Sequence, residues 1–144
     1  MFQILVLTHG PLGKVLLESA QTIAGETPNV FALALEWGDT LERAQEKVRA
    51  ELDRLDAGEG VLILTDMYGG TPFNVARNLV RPGRVEIVTG VNLPMVLRLS
   101  CLNHGEPSLG EAAEWIRGKG QQAICQCTDA PPVDPGGGEE PDCD

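Results

Sequence analysis

Four short apolar runs recur along the chain, at residues 3–8, 30–36, 60–66 and 84–89, and each reads as a β-strand. The first and third are almost continuously apolar, the pattern of strands covered on both faces, so they are predicted to be central. Between the runs the apolar residues recur at a helical period of about 3.6. Leu12–Ala24 reads as a first helix, and residues 40–55 as a second with the stripe Leu41, Ala44, Val48, Leu52 and Leu55. Asp39 followed by Glu42 has the spacing of a capping box at its start. A third helix is predicted to begin at Pro72 behind an N-cap at Thr71, and a fourth near Pro94 behind Asn92, because proline is favoured in the first turn. Ser108 and Glu111 cap a fifth helix with the stripe Leu109, Ala112, Ala113 and Ile116, which Gly118 and Gly120 are expected to end. Residues 121–125 then read as one last short strand.

Strands alternating with helical periods are the signature of an α/β domain with a mostly parallel sheet, and a doubly wound sheet of four strands in the order 2-1-3-4 is expected. One domain is expected over residues 1–125. From residue 126 the chain is rich in Pro, Gly and acid and too poor in apolar residues to bury anything, so residues 126–144 are expected to be disordered. That tail holds six acids and no base, which leaves 15 acids against 11 bases in residues 1–125. A body so mildly acidic lacks the clustered Lys and Arg that nucleic acid or anionic lipid requires, and basic protein partners suit it better. The amino terminus has no basic region or cleavage site of a signal peptide, and its apolar run is too short to span a bilayer, so a cytoplasmic location is expected. Cys101, Cys125, Cys127 and Cys143 match neither a C-x-x-C redox motif nor paired zinc knuckles and are read as reduced thiols.

The candidate chemistry lies at strand ends. His9 closes the first run and opens the loop Gly10-Pro11-Leu12-Gly13. Open parallel sheets hold ligands beyond the carboxyl ends of their strands, so a histidine there is a site residue or simply a polar strand end. Asp66 closes the third run and is followed by Met67-Tyr68-Gly69-Gly70-Thr71-Pro72, a glycine turn entering a helix. Such a turn is the outline of a phosphate cradle, in which backbone N–H groups, the helix dipole and the Thr71 hydroxyl favour an anion, although it also makes an ordinary strand-to-helix connection. No Gly-Lys-Ser or Gly-Lys-Thr marks a P-loop. If the first and third strands are neighbours where the strand order reverses, His9 and Asp66 face each other. A carboxylate bonded to one imidazole N–H sets the tautomer and leaves the other nitrogen as a nucleophile. The loop 89–95 follows the fourth strand on the same edge; there Asn92 caps the next helix or lines the site. His104 reads as a solvated loop histidine, and Trp37 and Trp115 are compatible with core or subunit contact. Tyr68 and Phe73 flank the cradle as core or as anchors for a partner.

Three stretches resemble one family: Thr8-His9-Gly10, Asp66-Met67-Tyr68-Gly69-Gly70-Thr71-Pro72-Phe73-Asn74 and Thr89-Gly90-Val91-Asn92-Leu93-Pro94-Met95. In order and separation they resemble the mannose/sorbose-type IIA component of the bacterial phosphoenolpyruvate-dependent sugar phosphotransferase system, over about residues 1–125. The resemblance implies that His9 accepts a phosphoryl group from phospho-HPr and passes it to a histidine of a separate IIB protein, with Asp66 orienting and polarising His9. It places Gly10, Gly69, Gly70 and Thr71 around the phosphoryl group, and Tyr68, Asn92 and Met95 as site lining or partner contacts. It further implies a homodimer that exchanges the last strand, no metal or organic cofactor, and indirect association with membrane permease components. The phosphoryl donor subunit of dihydroxyacetone kinase and a non-catalytic regulatory docking module are the competing readings. Trp37-Gly38-Asp39 matches no family pattern.

Overall fold

The computed structural model describes residues 1–102 and 107–128; the expectations for His104, Cys143 and the tail from residue 129 onward lie outside the described residues. The elements run β1 Gln3–His9, α1 Leu12–Ala24, β2 Val30–Leu35, α2 Leu41–Leu55, β3 Val61–Thr65, α3 Thr71–Arg77, β4 Val85–Val88, α4 Leu93–Ser100 and α5 Leu109–Gln122. The four strands form one sheet, ordered β2-β1-β3-β4 and parallel throughout. In register, Leu7 of β1 stands between Leu33 of β2 and Thr65 of β3.

Alternation along the strands divides the core in two. Ile4, Val6, Leu62, Leu64 and Val88 point to one face and pack with Ala20 of α1, Val96 and Leu99 of α4, and Ala112 and Ile116 of α5. Leu5, Leu7, Leu35, Val61 and Ile63 point to the other and pack with Ala44, Val48 and Leu52 of α2 and Val75 and Ala76 of α3. Helices on both faces explain why β1 and β3 tolerate unbroken apolar sequence: neither side of either strand meets water. They also satisfy the right of each central strand to bury both side-chain rows, at roughly 25 cal/mol per Å² of apolar surface removed from water.

Several local expectations are corrected. The N-cap of α2 is Thr40, whose side chain accepts from the Arg43 N–H; Asp39 stands one residue too early for a capping box and bonds elsewhere. Helix α3 starts at Thr71 with Gly70 as its N-cap and no side-chain cap. Asn92 does cap α4, accepting from the Met95 N–H, and Ser108 with Glu111 forms a complete capping box on α5. Helix α5 runs through Gly118 and Gly120 to Gln122, so residues 121–125 are not a strand: two belong to the helix, Ala123 caps it and the rest is irregular. The reason is packing. A Cβ on Gly120 would stand 2.6 Å from the Met95 sulfur, so this glycine lets α5 close on α4 rather than stopping it. Cys101, Cys125 and Cys127 are free thiols. Among the described residues no helix is long and apolar enough to cross a membrane.

Candidate phosphoryl-acceptor site

The chain leaves β1 toward β2 on one side and β3 toward β4 on the other, so a crevice opens between the carboxyl ends of β1 and β3. His9 is the last residue of β1, and Asp66 directly follows β3. Imidazole Nδ1 and Asp66 Oδ2 are 2.7 Å apart, and the same oxygen accepts the His9 backbone N–H at 2.9 Å. Asp66 Oδ1 accepts the N–H of Met67 at 3.0 Å. The His9 side chain is 18 % exposed and that of Asp66 12 %, which keeps the pair at the surface but out of bulk water.

Burial pushes the Asp66 carboxyl up, and the backbone N–H of His9, the His9 ring and the Met67 N–H outweigh it, holding the group below its ordinary value. An ionised carboxylate only accepts hydrogen bonds, so Nδ1 is the donor. A proton thereby sits on Nδ1, so in the neutral ring the lone pair is on Nε2, which has no hydrogen-bond partner among the described residues.

The rest of the crevice confines the ring. Gly70 comes so close that a Cβ there would lie 2.9 Å from His9 Cε1. Gly69, at φ +79°, makes the turn that brings Gly70 in. Thr71 begins α3 behind this turn. Gly10, at φ +53°, leads the chain away, and its N–H donates to the Leu35 carbonyl at 2.9 Å. The structure thus brings His9, Asp66, Gly10, Gly69, Gly70 and Thr71 to one sheet edge.

Tyr68, Asn92 and Met95 gather beside that group rather than on it. They line a cleft of about 470 Å³ with Phe73, Val88 and Ile124 among others, and His9 is not part of its wall. Tyr68 is 75 % exposed and packs its ring against Phe73 at 4.8 Å. Asn92 bonds the Met95 N–H and the Gly120 carbonyl, which accounts for it as a cap and a clasp to α5. Met95 is 2 % exposed and forms the floor.

One residue of the site escaped the sequence reading. Trp37 is in neither core cluster; its indole stacks on the His9 imidazole with ring centroids 4.9 Å apart and planes 17° from parallel. The available signal was positional: β2 neighbours β1, so the residue two past its carboxyl end reaches the crevice.

Comparison with known proteins agrees with this architecture. A family model described as the PTS system fructose IIA component matches residues 3–117. The mannose-specific EIIAB component of Escherichia coli K12 is 34% identical over 122 residues, covering 84% of this chain; the match spans only 38% of that relative's length. The fructose-specific EIIA component of Bacillus subtilis strain 168 is 29% identical over 130 residues, 90% of this chain and 88% of the relative. Among solved structures, the mannose/sorbose-specific IIA subunit from Enterococcus faecalis superposes with a TM-score of 0.79 at 29% identity, covering 92% of this chain and 98% of that one. A PTS IIA protein associated with the fucose utilization operon of Streptococcus pneumoniae gives 0.75 at 31% identity, covering 88% and 93%. A family match across most of the α/β domain, joined by a relative above 30% identity, has one meaning: the chain belongs to the mannose-type EIIA family of the phosphotransferase system.

Proposed function

We propose that this protein is a phosphohistidine carrier: His9 takes a phosphoryl group from phospho-HPr and delivers it to a histidine of a IIB partner, for sugar uptake or for regulation. The observation that carries the reading is the 2.7 Å contact of His9 Nδ1 with the Asp66 carboxylate, because it makes Nε2 the oriented nucleophilic nitrogen of the neutral ring at a sheet edge.

In the forward step the Nε2 lone pair forms a bond to phosphorus while the N–P bond of the donor histidine breaks. The breaking bond's electron pair stays on the donor nitrogen. The Nδ1 proton remains on His9, so the ring gains positive charge, which the adjacent Asp66 carboxylate stabilises. Gly10, Gly69, Gly70 and Thr71, on the same sheet edge as the ring, are assigned to the phosphoryl oxygens. Transfer between two nitrogens depends mostly on positioning and charge stabilisation, which these groups supply without a metal or organic cofactor. The same steps reversed, with a different partner, release the group.

The working location is cytoplasmic, where both partners act, and contact with membrane permease components is indirect. Exposed Tyr68 is assigned to the partner surface. A homodimer completes the proposal: β4 lies at one edge of the sheet, and Ile124, 79 % exposed beyond α5, is an apolar residue without a core. Sedimentation at micromolar concentration gives a dimer mass on this reading; a monomer removes the dimer and leaves the carrier.

Incubation with labelled phosphoenolpyruvate, enzyme I and HPr tests the carrier. One acid-labile, base-stable label per chain is expected, lost in His9→Ala. Label that persists in His9→Ala refutes the assignment.

A further inference from the structure

Trp37 is 81 % exposed, yet it is held firmly. The turn that carries it is closed by the Asp39 N–H donating to the Glu36 carbonyl (3.0 Å) and the Glu36 N–H donating to Asp39 Oδ2 (2.9 Å). Lys47 of α2 donates from Nζ to the same carboxylate oxygen at 2.6 Å. The Lys47 bond first, and the Glu36 N–H next, hold the Asp39 carboxyl below its ordinary value, so this anchor is charged at neutral pH. A large apolar ring in water contributes nothing to either core cluster, and what it does cover is one face of the His9 imidazole. Around that ring the contacts are complementary: Asp66 in the plane at Nδ1, Gly70 at Cε1, Trp37 across the face.

We propose that Trp37 is a positioning residue for His9, one that also favours the phosphorylated ring; the inference rests on the phosphohistidine reading. When Nε2 bonds to phosphorus and Nδ1 keeps its proton, the imidazole becomes cationic. The face of an indole attracts a cation, and more strongly than it attracts a neutral ring. The stack is therefore tighter in the transition state and in the phosphorylated protein than in the free one, which raises both the rate of acceptance and the fraction phosphorylated at equilibrium. Asp39 and Lys47 act one step further out, by keeping the indole in place.

The full-length protein and its Trp37→Phe and Trp37→Leu variants are equilibrated with a limiting pool of phospho-HPr, and initial rate and final labelled fraction are both measured. Leu keeps the apolar bulk and removes the aromatic face; Phe keeps a face. Trp37→Leu is expected to lower the equilibrium constant for phosphorylation by about threefold to tenfold, with Trp37→Phe recovering most of the loss. Circular dichroism is expected to be the same for all three proteins, since Trp37 packs in neither core. Indole emission should change on phosphorylation of the wild type and not of Trp37→Phe, where Trp115 is the remaining tryptophan. A Trp37→Leu protein with wild-type rate and equilibrium overturns the inference, as does a Trp37→Phe protein that falls equally far. Failure of the wild type to accept label on His9 overturns the carrier reading instead, and the two results cannot be confused.

Discussion

At the scale of single residues, the His9 ring loses a different freedom to each neighbour. Asp66 sets which nitrogen carries the proton, Trp37 sets the plane, and Gly70 limits how far the ring swings toward α3. Gly70 is the sharpest of these to test, because its φ of −75° is one that alanine adopts without strain. An added Cβ would stand 2.9 Å from His9 Cε1 and 3.0 Å from Met67 Cγ. Met67 is exposed and can turn away; the imidazole is tied at Nδ1 and must tilt. A displacement near 1 Å of a reacting group costs about 100-fold in rate. Gly70→Ala is therefore expected to slow phosphoryl acceptance by about 10- to 100-fold while urea unfolding shows a loss of no more than about 1–3 kcal/mol. Unchanged acceptance would show that the close approach is incidental. The pairing of His9 with Asp66 was legible in the sequence because two apolar runs each ended in a group with acid–base chemistry. Trp37 was not, since an aromatic residue after a strand carries no periodicity that separates core from surface.

At the scale of elements, the strands and the second helix follow their apolar patterns apart from Leu41, which is exposed, whereas α5 shows where glycine misleads. A glycine late in a helix reads as a stop when only propensity is considered. Here neither Gly118 nor Gly120 has a positive φ, and the two differ in surroundings: a Cβ on Gly118 meets nothing within 4 Å, whereas one on Gly120 meets the Met95 side chain at 2.6 Å. Long-range packing, invisible in a local window, thus decides the helix end and with it the missing final strand. Gly118→Ala is expected to stabilise the protein by about 0.5–1 kcal/mol, the helix-propensity gain alone. Gly120→Ala receives the same gain but must displace buried Met95, at a cost of about 1–3 kcal/mol. The measured difference between the two variants in urea unfolding should therefore be at least about 1 kcal/mol in favour of Gly118→Ala; equal stabilities would mean that α4 and α5 can separate without cost.

At the scale of the whole molecule, three carboxylates fasten the sheet's connections, and all three sit below their ordinary pKa. Asp39 is lowered by the Lys47 bond and the Glu36 N–H, where β2 passes into α2. Asp56 is lowered by the N–H groups of Gly58 and Gly60, with Arg84 adding a charge, where α2 passes into β3. Asp66, pushed up by burial, is brought below by His9 and Met67 between β1 and β3. A carboxyl with a depressed folded-state pKa contributes stability above its unfolded value, near 3.9 for aspartate, and loses it as the pH falls through the folded value. Between those limits the unfolded chain binds more protons than the folded one, so acid favours unfolding. Above pH 5 the three groups are charged in both states and their contribution is constant. The urea midpoint is expected to fall between pH 5 and pH 3. In Asp66→Asn, which cannot titrate there, it should start lower at pH 5 and fall less. A variant that declines as steeply as the wild type would show that the Asp66 carboxylate is no better stabilised in the fold than in the open chain.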